Sequence, residues 1–188
     1  MYEASDLRKG LKIEIDGQPW IITEFTFSKP GKGQAIYNCK MRNMITGSTM
    51  SKSYRSNDKL DSPQLESKKL QYSYHEGDTY TFLDANYEQV EIPAEALGDG
   101  RFFLVSDTEV EALFFNHTLP IEVTLPTFIV KEVVYTEPGV RGDTATNVTK
   151  PAKLDTGYEL QVPLFINQGD NIKIDTRTGK YADRVQKR

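Results

Sequence analysis

Trp20-Ile21-Ile22-Thr23-Glu24-Phe25-Thr26-Phe27, then Lys29-Pro30-Gly31-Lys32-Gly33, then Tyr37-Asn38-Cys39-Lys40-Met41-Arg42 reads as strand, tip and strand. The first run is rich in aromatic and β-branched residues. In the last, Tyr37, Cys39 and Met41 alternate with Asn38, Lys40 and Arg42, the period of two that marks a half-buried strand. Pro-Gly-Lys-Gly between two strands is the tip of a hairpin. Pro30 fixes its own φ, and Gly31 and Gly33 accept positive φ without steric cost. The glycines also remove neighbouring side chains, so the Lys32 ammonium is expected to stand clear of the protein body. Pro, Gly and Lys are equally the residues of a plain solvated turn. A Walker-type phosphate loop does not fit, because Gln34 and a strand follow Gly33 where Ser/Thr and a helix are needed.

Working outward, nearly every segment reads as short strand. Leu11 to Ile15 alternates and stops at Asp16-Gly17, a strong hairpin dipeptide. Thr46-Gly47 parts the Tyr37–Met44 strand from Thr49–Tyr54, and the polar stretch Ser56–Pro63 reads as a linker. A second block follows with strands at Leu70–His75, Tyr80–Leu83, Glu88–Ile92, Val110–Phe115 and Ile121–Leu125. Pro93–Gly98 is a single helical turn, proline near its start and glycine at its end. The third block has strands at Phe128–Tyr135, Tyr158–Ile166, Asn171–Asp175 and Tyr181–Val185, with a long loop from Glu137 to about Pro151. The boundaries expected are 1–63, 64–126 and 127–188. The architecture expected is all-β, three small β-barrels in series, the later two of the oligonucleotide-binding (OB) size class.

Charge divides along the same lines. Residues 1–60 hold ten Lys/Arg and six Asp/Glu, residues 61–126 three and thirteen, residues 127–188 ten and eight. An acidic middle therefore separates two mildly basic ends, which permits contacts to RNA backbone at the ends. No apolar run reaches the ~18 residues needed to span a bilayer. The polar, acidic opening Met1–Asp6 does not resemble a secretory leader, so a cytoplasmic protein without membrane contact is expected.

Catalytic groups are sparse. Cys39, the only cysteine, shares the alternating face with Tyr37 and Met41 and reads as core. His75, before the Glu76-Gly77-Asp78 turn, and His117 in Asn116-His117-Thr118 read as solvated turn residues. Glu109 and Glu111 share one strand face and read as acidic surface. With one cysteine and no His-x-x-x-His pair, no metal site is expected, nor a cofactor. No Gly-x-Ser-x-Gly elbow occurs. Arg141-Gly142-Asp143 spells an adhesion tripeptide and Asn147-Val148-Thr149 a glycosylation acceptor, both without meaning in a cytoplasmic chain.

Taken together, the Lys29–Gly33 hairpin, the run Pro138-Gly139-Val140-Arg141-Gly142-Asp143-Thr144 and the long segment Lys150–Gly169 resemble bacterial translation elongation factor P. The opening Asp6–Leu11 and the closing Tyr181–Val185 are similar to that family's ends. The resemblance implies an SH3-like (KOW-like) barrel followed by two OB barrels in an L-shaped outline similar to transfer RNA. It implies a monomer that enters the ribosome between the P and E sites when synthesis stalls at consecutive prolines. By the same resemblance, Lys32 is the tip residue that approaches the CCA end of P-site peptidyl-tRNA, lengthened there by a lysine-modifying enzyme. Pro30, Gly31 and Gly33 set the loop geometry and Lys29 contacts RNA beside it. Gly142, Asp143, Thr144, Tyr181 and Arg184 match the family's RNA-facing positions in the third domain, toward ribosomal RNA. Thr146-Asn147-Val148-Thr149 departs from the glycine-rich stretch frequent there and implies a stiffer backbone. On this reading the ribosome performs the chemistry and the chain is a factor, not an enzyme. A diverged paralogue of the family, or a generic RNA-binding OB protein using Tyr72, Tyr74, Tyr80 and Phe82, is the alternative.

Overall fold

The computed structural model describes residues 1–139 and 148–185. The first six strands are β1 (Tyr2–Glu3), β2 (Lys12–Ile15), β3 (Gln18–Ser28), β4 (Ile36–Asn43), β5 (Thr49–Arg55) and β6 (Lys59–Leu60). β2 to β5 form one antiparallel sheet in sequence order, and β1 pairs with β6. Asp16 and Gly17 both take positive φ, 52° and 75°, the type I′ geometry that matches strand twist. The turn after β4 is built by Asn43, which is 2% exposed. Its Oδ1 accepts from the Ile45 and Thr46 amides at 2.8 and 3.0 Å, and its Nδ2 donates to Gln18 Oε1 at 2.6 Å. The inward residues of these strands, Ile13, Ile22, Cys39, Met41 and Tyr54, pack with Ala4, Leu7, Leu11 and Leu60 into one core. Cys39 is therefore a core residue, and burial pushes its thiol pKa up.

The middle of the chain forms β7 (Leu65–Glu76), β8 (Thr79–Leu83), β9 (Gln89–Pro93), the helical turn α1 (Ala94–Leu97), a 3₁₀ turn over Gly98–Phe103, β10 (Glu109–Phe115) and β11 (Leu119–Thr124). The strand order is β11-β10-β7-β8-β9. Gly98 ends α1 with φ +57, a conformation that glycine adopts freely. Tyr72, Tyr80 and Phe82 are buried with edge-on or tilted ring contacts. Only Tyr74 of that aromatic group is exposed, so these rings fill a core and offer no open stacking face. His75 corrects the turn assignment: it lies inside β7 opposite Tyr80, with its ring stacked on that tyrosine at 4.8 Å. His117 does occupy a turn, at φ +69, with Nδ1 3.0 Å from Glu66 Oε2.

Beyond it come β12 (Phe128–Glu132), β13 (Tyr135–Thr136), β14 (Thr149–Lys153), β15 (Glu159–Pro163), β16 (Asn171–Asp175) and β17 (Lys180–Arg184). They form two three-stranded sheets, β12-β16-β17 and β13-β14-β15. Ile129, Val133, Ala152, Leu154, Leu160, Val162, Ile166, Ile172 and Ile174 make one core with Phe103. Five of these ten come from the segment 150–169, whose alternating apolar residues are the interior of this module. β14 falls in what the sequence reads as loop. The described chain divides into two compact units, one of Met1–Ser67 with Leu113–Glu122 and one of Lys68–Ala112 with Val123–Arg188. No helix among the described residues is long and apolar enough to cross a membrane.

Candidate nucleic-acid interface

The β3–β4 hairpin carries the sequence-predicted site. Its ladder runs from Trp20 opposite Asn43 to Ser28 opposite Ile36, with a bulge between Ile22 and Glu24. β5 lies along the far side of β4 and pairs Arg55 with Ile36, at the last residue before the tip. The tip is closed by the Gly33 amide donating to the Pro30 carbonyl at 3.1 Å, a β-turn with Gly31 and Lys32 at its centre.

One expectation about this turn changes. Neither Gly31 nor Gly33 has positive φ, because a turn of this kind closes on backbone angles open to most residues. What the glycines contribute is absence. A Cβ on Gly31 would meet nothing within 4 Å, and one on Gly33 would touch only the Pro30 ring at 3.6 Å. Lys29, Pro30, Gly31, Lys32 and Gly33 are all exposed. Neither Lys29 nor Lys32 has a hydrogen-bond or ion-pair partner among the described residues. The finger does not fold back on its own barrel, and its cations are available to an outside anion.

The two faces of the finger differ. On the outer face Glu24 is paired with Lys40 at 3.3 Å, and Ser53 donates to Asn38 at 2.5 Å. On the inner face Phe25 and Phe27 sit opposite Cys39 and Tyr37. The Tyr37 ring meets Phe27 edge-on at 5.1 Å and Phe25 at 6.2 Å. Phe27 is 54% exposed.

The third-domain residues form a separate group in the other compact unit. Tyr181, on β17 opposite Ile174, is half-buried against the core. Burial raises its phenol pKa, Asp183 adds to the rise and Arg184 opposes it. Arg184, opposite Ile172, is exposed and holds its guanidinium 5.2 Å over the ring of Phe165. Phe165 is itself 57% exposed, and the sequence reading does not single it out. Its partner lies nineteen positions away in sequence, so only the fold reveals the pair. Gly142, Asp143 and Thr144 lie outside the described residues. On either side of that segment, the buried Lys150 donates to the Glu137 carbonyl at 2.5 Å. Gly139 lies so close to Leu164 that a Cβ would sit 2.7 Å from its carbonyl oxygen, which accounts for glycine after Pro138.

Comparison with known proteins identifies the family. Models of elongation factor P domains match in three successive pieces: the KOW-like domain at residues 3–60, the OB domain at 65–123 and the C-terminal domain at 129–184. Elongation factor P of Desulfotalea psychrophila is 54% identical over 187 residues, 99% of this chain and 100% of that one. Elongation factor P of Syntrophus aciditrophicus is 48% identical over the same shares. The solved structure titled eukaryotic translation initiation factor 5A, from Methanococcus jannaschii, superposes with a TM-score of 0.54 at 23% identity, over 66% of this chain and 90% of that one; this is a likeness of fold. Together the matches define an all-β translation-factor fold, a KOW-like module followed by OB-type modules. The chain belongs to the elongation factor P family.

Proposed function

We propose that this protein acts on the ribosome, between the P and E sites, and promotes peptide-bond formation at runs of proline by holding peptidyl-tRNA through the Lys32 loop. The observation that carries the reading is a braced β finger ending in a lysine with no partner among the described residues, flanked by two glycines that keep its surroundings bare. Proline's ring restricts approach to the peptidyl bond, so a stalled substrate samples reactive geometry rarely. A cationic arm bound to the CCA end supplies orientation, the entropic part of catalysis, without giving or taking protons. Lysine suits this task as a flexible point charge with rotatable donors.

Within this reading the modules are 1–63, 64–126 and 127–188, the protein works as a cytoplasmic monomer, and no cofactor or metal takes part. A lysine-modifying enzyme lengthens Lys32 and extends its reach. Arg184, Tyr181 and the 142–144 segment serve as its contacts to ribosomal RNA. The test is Lys32→Ala. Ribosome profiling of cells carrying that variant should show pausing at Pro-Pro codons as severe as in a deletion strain, with the protein still folded and abundant. Pausing equal to wild type refutes the assignment. Intact-mass spectrometry of the native protein reports whether Lys32 carries an added group.

A further inference from the structure

We propose that the aromatic ledge on the inner face of the finger, Phe27 foremost with Tyr37 behind it, is a stacking platform for an unpaired base of the RNA that Lys32 addresses. The inference rests on the reading of Lys32 above and adds a second contact to it.

Strand alternation defines the ledge. Tyr54, Cys39, Tyr37, Phe25 and Phe27 share one face of β3, β4 and β5, as their cross-strand pairings show. Near the barrel that face is core, with Cys39 2% and Tyr54 6% exposed. Toward the tip the same face leaves the core but stays aromatic, and Phe27 is 54% exposed only two residues before Lys29. A strand end that merely reached into solvent would turn polar on both faces, as Thr26, Asn38 and Ser53 do on the other side.

Tyr37 meets Phe27 edge-on at 5.1 Å and 62°. That contact steadies the ring without sandwiching it, and edge-to-face pairing is a favourable arrangement in its own right. The charge around the ledge is positive. Lys29 and Lys32 lie beyond it, and Lys52 sits 5.2 Å over Tyr54 farther in on the same face. Glu24, the carboxylate of the finger strands, is on the opposite face and already paired with Lys40. An open aromatic ring bordered by cations fits single-stranded nucleic acid, whose bases have π-faces and whose backbone is anionic. An apolar peptide would have no use for the lysines, and an acidic one no use for the ring.

The experiment compares Phe27→Leu, Phe27→Trp and Lys32→Ala in full-length factor carrying whatever group the native Lys32 bears, checked by intact mass. The readout is the rate of Pro–Pro bond formation on stalled ribosomes as a function of factor concentration. Leucine keeps apolar surface and removes the π-face. Phe27→Leu should therefore lower efficiency roughly five- to hundredfold, the range one base–aromatic contact spans, and Phe27→Trp should restore it. In parallel, 2-aminopurine placed in the unpaired 3′ end of the tRNA should be quenched by wild-type and Phe27→Trp factor and not by Phe27→Leu. Full efficiency and full quenching with Phe27→Leu overturn the proposal. So does a Phe27→Leu protein that fails only to acquire the Lys32 group in cells yet is fully active once modified, since the ledge would then serve the modifying enzyme. If Lys32→Ala is inactive while Phe27→Leu is normal, the ledge alone is wrong. If Lys32→Ala is normal, the tip assignment falls and this inference with it.

Discussion

Lys131 offers a quantitative test of how the second compact unit is held together. It lies on β12 with only 6% of its surface exposed. Its ammonium donates to the Leu104 carbonyl at 3.1 Å and approaches Asp155 Oδ1 at 2.8 Å. The two acceptors are unequal, because Asp155 is 64% exposed and can return to water at little cost, whereas Leu104 is buried. Lys131→Met keeps an unbranched stem in the slot and deletes the charge. Leaving the Leu104 carbonyl unsatisfied costs about 1–3 kcal/mol, and relief from desolvating a cation offsets part of that. The net expectation is a loss of about 1–2 kcal/mol. Lys131→Ala also removes the stem and leaves a void, for a total of about 3–4 kcal/mol. Asp155→Asn should cost less than about 1 kcal/mol. In urea unfolding followed by circular dichroism, with a slope of about 2 kcal/mol per molar, the midpoint falls by about 0.5–1 M for Met and 1.5–2 M for Ala. Exchange mass spectrometry of β12 and β16 peptides assigns the transition to this unit. A Met variant at least as stable as wild type refutes the reasoning, for it would mean that the buried cation is a net cost.

Two further outcomes follow from local geometry. Gly179 sits at φ +72, and a Cβ there would fall well inside the Tyr158 hydroxyl, which itself donates to the Gly179 carbonyl. Gly179→Ala should therefore lose about 2–3 kcal/mol from left-handed strain and a displaced hydrogen bond, seen as a melting temperature about 10 °C lower; an unchanged melting temperature counts against the close contact. Burial, with smaller contributions from Cys39 and Asp58, pushes the Tyr54 phenol pKa up to about 12. Because the folded pKa exceeds the unfolded value, this stability is complete below about pH 10 and is lost as pH rises through 12. Alkaline unfolding of Tyr54→Phe should start at higher pH than in wild type, and coincident titrations would show that Tyr54 ionises freely in the fold.

The parts of this structure that sequence discloses are those governed by neighbours along the chain. Alternation at Tyr37–Arg42 marks β4, Asp16-Gly17 marks a type I′ turn, and Pro93–Gly98 marks the helical turn at Ala94–Leu97. What stays hidden depends on partners far away. β14 reads as loop because Pro151 lies in its middle, yet β13 pairs only with Lys153 and Ala152, so the proline falls where that ladder has ended. Thr136 donates to its carbonyl at 2.8 Å. β7 begins five residues earlier than alternation indicates, since Glu66, Ser67, Lys68 and Lys69 mask the pattern. At the site, Lys29–Gly33 is contiguous and visible, whereas Phe165 beneath Arg184 is brought there by strand pairing.

The same distinction explains why the finger can position a charge at all. A two-stranded hairpin alone is marginally stable in water, and a tip lysine on one would sweep a wide volume. Here β5 accompanies β4 out to the Ile36–Arg55 pair, so the finger is three-stranded up to the residues that bear the turn. Only the Lys29–Ala35 segment projects beyond the ladder, and within it Pro30 is fixed in φ and bonded to the Gly33 amide. The freedom left to the Lys32 ammonium is therefore chiefly that of its own side chain. Ordering one such chain on binding costs about 1.5–2 kcal/mol, well below the cost of ordering the loop as well. Reach is then set by side-chain length, and lengthening Lys32 adds span without loosening the base from which it extends.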